Sequence, residues 1–402
     1  MLVKVRKSFV PSLTGPMLID SFGVPRYWVA VWASFLPADL AEPTLEGRLR
    51  QLEHFCHHAD QTLGSGRLDD ALAHLDIDAI SSALEAYFFM LRGQPAASSA
   101  EERWQSALRF VTETVQRLSR GAITRQDHHT LVGRLRELEL LNAHLHIGKR
   151  RRPERIRSLP SEVVEALYEM LDPESPTNPF RRGNSRWRIY TIFILLMHQG
   201  LRRGEVLNFP VDVIKCGFDR NRQETRYWMA VRYNEYEDDD PRYSKPRIKN
   251  AQSIRTVPVS KMTALIVQEY VQNYRGRPDH SFLINSQKKT PLSTEGVTKL
   301  FQKLSASLPP RLRKVLIDHT GDDSLSPHDL RHTSAVVRLN QLLASGVEMT
   351  DALQRMRGYF GWSRDSDMPL RYARAVFEDR LASVWNNAFD DRVEILRNIP
   401  KG

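Results

Sequence analysis

Within Ser326-Pro327-His328-Asp329-Leu330-Arg331-His332-Thr333, two imidazoles and a guanidinium fall inside five residues. With His328 just outside a helix and Arg331 about one turn on, a spacing of three brings both side chains to one face. A fixed cation beside a neutral proton donor or acceptor suits an anion that changes protonation as it reacts, such as a phosphodiester. Taken alone, His328 serves as readily as a helix cap, and Arg331 as half of an ion pair.

Three further stretches carry chemistry. In Gly200-Leu201-Arg202-Arg203-Gly204-Glu205-Val206-Leu207, Arg202 and Glu205 are three apart, so the carboxylate can steady a guanidinium that grips phosphate. As a helix-surface ion pair the same two residues would contribute only about 0–1 kcal/mol. Lys249 precedes the strand-like Arg255-Thr256-Val257-Pro258; on a turn it can reach a cleft as a mobile acid or remain an exposed lysine. Near the C-terminus come Gly358-Tyr359-Phe360-Gly361-Trp362 and then Leu370-Arg371-Tyr372-Ala373, whose aromatics also suit a core.

In this order the four stretches resemble the tyrosine recombinases, the phage-integrase family. The family's G-L-R-x-x-E box corresponds to Gly200–Glu205, its β-hairpin lysine to Lys249 before an R-x-V-P strand, and its H-x-L-R-H box to His328–His332. Its G-H or G-W dipeptide and nucleophile correspond to Gly361-Trp362 and Tyr372. The resemblance implies a site-specific DNA recombinase or integrase, of a bacterial mobile element, that cleaves and rejoins strands through a 3′-phosphotyrosyl intermediate. Arg202 and Arg331 would stabilise charge on the phosphate, staying protonated at any workable pH. Tyr372 would attack, helped by the arginine field and His328, while Lys249 protonates the leaving 5′-oxygen. Glu205 would support Arg202, and Trp362 and His332 would position oxygens or pack the site. No metal and no other cofactor is implied, because two fixed guanidiniums replace metal ions and the phosphotyrosine conserves the bond energy. The implied partners are double-stranded recombination sites, three further copies in a homo-tetramer, and accessory recombination proteins, in the cytoplasm at a bacterial nucleoid. A catalytically inactive DNA-binding protein on the same scaffold is the alternative of another class. A type IB topoisomerase or telomere resolvase is the alternative within the chemistry.

Two spacings depart from the family. Arg331 to Trp362 is longer by roughly one or two helical turns, which a looped insertion in Leu342–Asp351 would absorb. Trp362 to Tyr372 is one residue longer, which bears directly on where the nucleophile is presented.

The elements that must position these residues divide into two domains, as 402 residues suggest. Residues 1–42 form an extension of unassigned role, in which Arg26–Trp32 reads as a strand. Residues 43–147 read as four helices, an all-α core-binding domain. Trp104, Leu108, Val111, Val115 and Leu118 make one apolar stripe, with Phe110 off it. Residues 148–157 are a basic linker with Lys149, Arg150, Arg151, Arg152 and Arg155 suited to a phosphate backbone. Residues 158–402 are a catalytic domain, mainly α with a small antiparallel β-sheet and a tail over Asn387–Gly402. Ser158 reads as the cap of its first helix, with Pro160 in the first turn. The expected whole is a mainly helical, two-domain DNA clamp.

Composition agrees. Lys and Arg total 58 against 48 Asp and Glu, an excess that favours a polyanionic partner, nucleic acid before membrane. No run approaches the roughly 20 apolar residues of a membrane span, and the first residues do not read as a secretory leader. Two cysteines, Cys56 and Cys216, suit a reducing compartment. His54, Cys56, His57 and His58, like His128-His129, lack zinc-like spacing and read as ordinary side chains.

Overall fold

The computed structural model describes residues 1–5, 15–37, 40, 42–93, 99–120, 158–236, 239–242, 245–248, 251–374 and 376, with 133, 136 and 140 singly. The chain divides into two compact units, Met1–Pro153 and Glu154–Gly402. The helix expected over 125–146 lies almost wholly outside the described residues. The linker over 148–157 and the tail over 387–402 lie entirely outside them.

In the first unit, β1 (Leu2–Val5) pairs antiparallel with β2 (Gly15–Leu18). Helices follow: α1 (Tyr27–Ser34), α2 (Glu42–Leu63), α3 (Arg67–His74), α4 (Ile77–Gly93) and α5 (Ala100–Ser119). The strand expected over Arg26–Trp32 is therefore a helix. β-branched and aromatic residues favour strands only where a pleated face is offered. Here Val29 and Trp32, three apart, enter the helical core together. Trp32 meets Phe110 edge-on at 5.9 Å and donates its indole N–H to Glu113 at 2.8 Å. Phe110, off the main stripe of α5, is buried because α1 supplies a second surface for it. Arg26 is buried too and pairs with Asp60 and Asp69. The first residues thus share one core with the helices, and they contribute a hairpin ahead of the helical stretch.

Of the histidines on α2, His54 and His58 both meet the Tyr87 ring, each at 5.7 Å. Cys56 faces the core, where burial pushes its thiol up to about 12. His54 Nδ1 lies 3.1 Å from the Tyr87 hydroxyl, and His57 lies 3.1 Å from the Gln61 amide.

The second unit opens with α6 (Ser161–Leu171), α7 (Gly183–Gln199) and α8 (Arg203–Asn208). The first of these starts later than expected, with Pro160 rather than Ser158 at the cap, because Leu159 precedes a proline, which disfavours the helical region for it; its N–H is donated to Thr333 Oγ1 at 2.8 Å. Strands β3 (Ile214–Asp219), β4 (Glu224–Val231) and β5 (Arg255–Val259) form an antiparallel sheet in that order. Pro258 is tolerated because β5 is an edge strand. Then come α9 (Lys261–Glu269), extended by a π turn to Tyr274, α10 (Thr294–Ala306), α11 (Pro310–Thr320), α12 (Pro327–Ala344) and α13 (Met349–Phe360).

Helix α7 is apolar on nearly every side and runs through the centre of the core, with Ile189, Ile192, Phe193, Leu195 and Leu196 buried. The acidic loop after β4 is not wholly solvated: Asp240 is buried against Arg242 at 2.7 Å. No helix among the described residues is long and apolar enough to cross a membrane.

Trp32→Ala in the full chain is expected to cost about 3–5 kcal/mol in urea unfolding of the first unit. A loss below about 0.5 kcal/mol, the range of surface substitutions, would place α1 outside that core.

Candidate active site

The opening of α12 is held by its own sequence. Ser326 is the N-cap, Pro327 occupies the first helical position, and Ser326 and Asp329 make a capping box. The Ser326 N–H donates to Asp329 Oδ2 at 2.7 Å, and the Asp329 N–H donates to Ser326 Oγ at 3.4 Å. His328 is therefore the second residue inside the helix, not the residue before it, and the capping role belongs to its neighbours.

Arg331, one turn on, is buried. It donates Nη1 to the Gly200 carbonyl and Nη2 to the Phe360 carbonyl at 2.7 Å. Its nearest carboxylate oxygen, on Glu205, is 4.0 Å away. Burial, then repulsion from Arg202, pushes its pKa down to about 9, with Glu205 pulling the other way. Such a guanidinium gains from any anion that reaches it.

Gly200 ends α7 with φ +58°, and a Cβ there would lie 2.3 Å from Phe360 Cε1 and 2.9 Å from Ser334 Oγ. Only glycine lets the chain turn there with its carbonyl toward Arg331. Two residues later Arg202 is the N-cap of α8. Glu205 is 2% exposed, so the pair is no surface ion pair. Glu205 Oε1 accepts from Arg202 Nη1 at 2.8 Å, and its Oε2 accepts from the Arg202 backbone N–H at 2.9 Å.

Arg255, at the start of β5, meets the same carboxylate with both Nη atoms, each at 3.0 Å. Burial pushes the Glu205 carboxyl up, but the hydrogen bonds from Arg255 and the charges of Arg255, Arg331 and Arg202 outweigh it. The group sits below its ordinary value.

A second acceptor surface faces the same arginines. The last carbonyls of a helix have no partner within it. At the end of α13, Tyr359 O accepts from Arg255 Nε at 2.7 Å, Phe360 O from Arg331 Nη2 at 2.7 Å, and Gly361 O from Arg202 Nη2 at 3.0 Å. Three successive carbonyls thus take one arginine each. The negative end of the helix dipole favours the cations there.

Beyond that end the ring of Trp362 stacks on Phe360 at 4.9 Å and on Tyr372 at 5.4 Å. Tyr372 is 2% exposed, and its hydroxyl shares a hydrogen bond with His332 Nδ1. Burial raises its pKa, while Arg331 and Arg371 pull it down. His328 is exposed and meets the His332 ring edge-on at 4.3 Å. The imidazole on the phenol is thus that of His332, and not, as expected, that of His328. The long Arg331–Trp362 interval is not a looped insertion: α12 and α13 fill it with helix around the turn at 345–348. Between Trp362 and Tyr372 the chain passes through the turns at 363–367 into a helical segment over 368–374.

Tyr359 is engaged otherwise. Its hydroxyl donates to Gln199 at 3.0 Å, and the Arg338 guanidinium lies 4.0 Å over its ring.

The structure therefore brings Arg202, Glu205, His328, Arg331, His332, Trp362 and Tyr372 together. Lys249, Lys149, Arg150, Arg151, Arg152 and Arg155 lie outside the described residues. Two members of the network were not singled out from the sequence: Arg255, and Ser253, whose Oγ accepts from Arg202 Nη1 at 2.9 Å. The arginine of R-x-V-P was the available signal, read only as the edge of a strand.

The sequence model of the phage integrase family matches residues 157–378, more than half of the chain. Among solved structures, the crystal structure of XerH site-specific recombinase bound to difH substrate, a pre-cleavage complex, is similar at 12% identity. The likeness covers 87% of this chain and 94% of that one, with a TM-score of 0.37. No curated protein sequence matches at a significant level.

Glu205→Gln removes the charge shared by three guanidiniums and is expected to destabilise the second unit by about 3–5 kcal/mol at neutral pH. With a folded pKa below the ordinary 4.5, the carboxylate's contribution is present above that value and lost as pH falls through the folded pKa. The gap in Tm between wild type and variant should therefore narrow in acid; a gap unchanged down to about pH 3 would remove Glu205 as its source. Gly200→Ala should cost more than the roughly 1 kcal/mol of an ordinary left-handed alanine, since Phe360 blocks the new methyl. Thermal melts of the purified variant measure this.

Proposed function

This chain belongs to the phage integrase family, and on that footing we propose that it is a site-specific DNA recombinase with Tyr372 as nucleophile. The observation that carries the reading is the meeting of a buried phenol, an imidazole on its hydroxyl, and two arginines beside one buried carboxylate, Arg202 bonded to it and Arg331 4.0 Å away.

The scissile phosphate places its non-bridging oxygens toward Arg202 and Arg331, whose charge grows in value as the phosphorus gains negative charge in the transition state. Each guanidinium spends some N–H groups on carbonyls or carboxylate and keeps others for phosphate. Because Tyr372 is buried under Trp362, DNA binding must withdraw the phenol from the stack before it reacts. The Oη–P bond then forms and the P–O5′ bond breaks. The phenolic proton passes to neutral His332 at Nδ1, and Lys249 gives a proton to the departing 5′-oxygen. Rejoining runs in reverse, with a 5′-hydroxyl of the exchanged strand displacing Tyr372. The bond energy stays in the phosphotyrosine, so no ATP is consumed.

Four protomers on two duplexes form the working assembly, and Lys149, Arg150, Arg151, Arg152 and Arg155 lie along the phosphate backbone. Accessory proteins select the outcome, the DNA is that of a bacterial mobile element, and the site of action is the nucleoid.

The test uses a pool of nicked duplexes randomised around the nick, from which covalent protein–DNA adducts are recovered, sequenced and mapped to a peptide. The adduct should fall on Tyr372. Tyr372→Phe should abolish it while retaining DNA binding; an adduct in that variant would move the nucleophile elsewhere. Arg331→Lys should slow cleavage at least about 100-fold, because a point charge cannot hold two carbonyls and a phosphate together. An unchanged rate would remove Arg331 from the phosphate.

A further inference from the structure

Arg255 is a side chain not assigned to the reaction whose surroundings are closely determined. Its side chain is 7% exposed, and its three nitrogens make four hydrogen bonds. Nη1 and Nη2 take one oxygen each of Glu205 at 3.0 Å. Nε donates to the Tyr359 carbonyl at 2.7 Å, and Nη1 also donates to the Ser253 carbonyl at 2.7 Å. A planar fork held at both ends fixes the plane of the carboxylate it meets.

That plane matters because the same two oxygens face the phosphate-gripping arginines. Oε1 accepts from Arg202 Nη1 at 2.8 Å, and Oε2 stands 4.0 Å from Arg331 Nη1. Arg255 also reaches the other acceptor of both: it holds Tyr359 O, and the next two carbonyls hold Arg331 and Arg202. Ser253 repeats the link, taking Arg255 on its carbonyl and Arg202 on its hydroxyl. Gly361 is packed into this corner, where a Cβ would stand 3.0 Å from Arg255 Nη1 and 3.0 Å from Ser253 Cα.

We propose that Arg255 is a positioning residue for strand cleavage: without touching DNA, it sets the orientation of Arg202 and Arg331 through Glu205 and the end of α13. A lone structural ion pair would need only Glu205; the additional grip on Tyr359 ties β5 to the helix end from which Trp362 and Tyr372 follow. The proposal rests on the recombinase reading above.

The test compares full-length wild type, R255M and R255K on a nicked duplex recovered from the randomised pool. A parallel duplex carries a methylphosphonate at the scissile position, where a methyl group replaces one non-bridging oxygen and removes the charge the arginines serve. DNA affinity should stay within about threefold, while cleavage of the phosphodiester by R255M falls about 100-fold. R255K retains the charge and so tests the fork if R255M folds poorly; it should fall nearly as far. On the methylphosphonate the gap between wild type and either variant should shrink at least about tenfold, a change that mere loss of folded protein would not produce. In the double variant E205Q/R255M the two effects should combine to clearly less than their product, because both act in part on one carboxylate.

Variants that cleave like wild type, gaps equal on both duplexes, or effects that multiply in the double variant would each overturn the positioning role while leaving the recombinase reading intact. A wild type that forms no adduct with any duplex of the pool would bring down that reading, and this role with it.

Discussion

A single carboxylate in the interior of the second unit is the constraint on which the rest depends. Burying Glu205 is unfavourable unless the charge is matched, and burying Arg331 beside Arg202 and Arg255 is worse. Together they are tolerable: one anion sits among three cations, and the excess positive charge is spread over main-chain oxygens. The corner from α7 to α8, the first residue of β5, the first turns of α12 and the last turn of α13 each bring one piece. None of these segments is a site by itself. Three cations against one anion leave a net charge of two units, which favours any anion that approaches this corner.

The aromatic stack adds a second layer. Phe360 lies under the Arg331 guanidinium at 5.1 Å, Trp362 lies on Phe360, and Tyr372 on Trp362. The same few residues that terminate α13 thus carry the chain from the arginine cluster to the phenol. Apolar packing, and not polar contact alone, sets where that hydroxyl is kept.

Much of this was legible from residue types, because the side chains gathered here are of few kinds and carried in short local patterns. Arg202, Glu205, Arg331, His332, Trp362 and Tyr372 were all found that way. The supporting acceptors were not, since Gly200 O, Tyr359 O, Phe360 O and Gly361 O are backbone atoms that any sequence possesses. Arg255 was visible but read as strand punctuation; its role exists only once β5 is brought against α8 and α13. The errors in secondary structure have the same origin. Arg26–Trp32 has strand-forming side chains, yet tertiary packing against Phe110 selected a helix. The spare length before Trp362 suggested a loop, and two helices with complementary apolar faces absorbed it instead.

The helix end also carries a register. Because three consecutive carbonyls serve three different guanidiniums, adding or removing one residue within the last turn of α13 would rotate them by about 100° and hand each arginine a neighbour's acceptor. The turn at 345–348 has no such vernier: residues gained there lengthen the path without dephasing its end. Length drift between Arg331 and Trp362 is therefore permitted at one end of α13 and forbidden at the other.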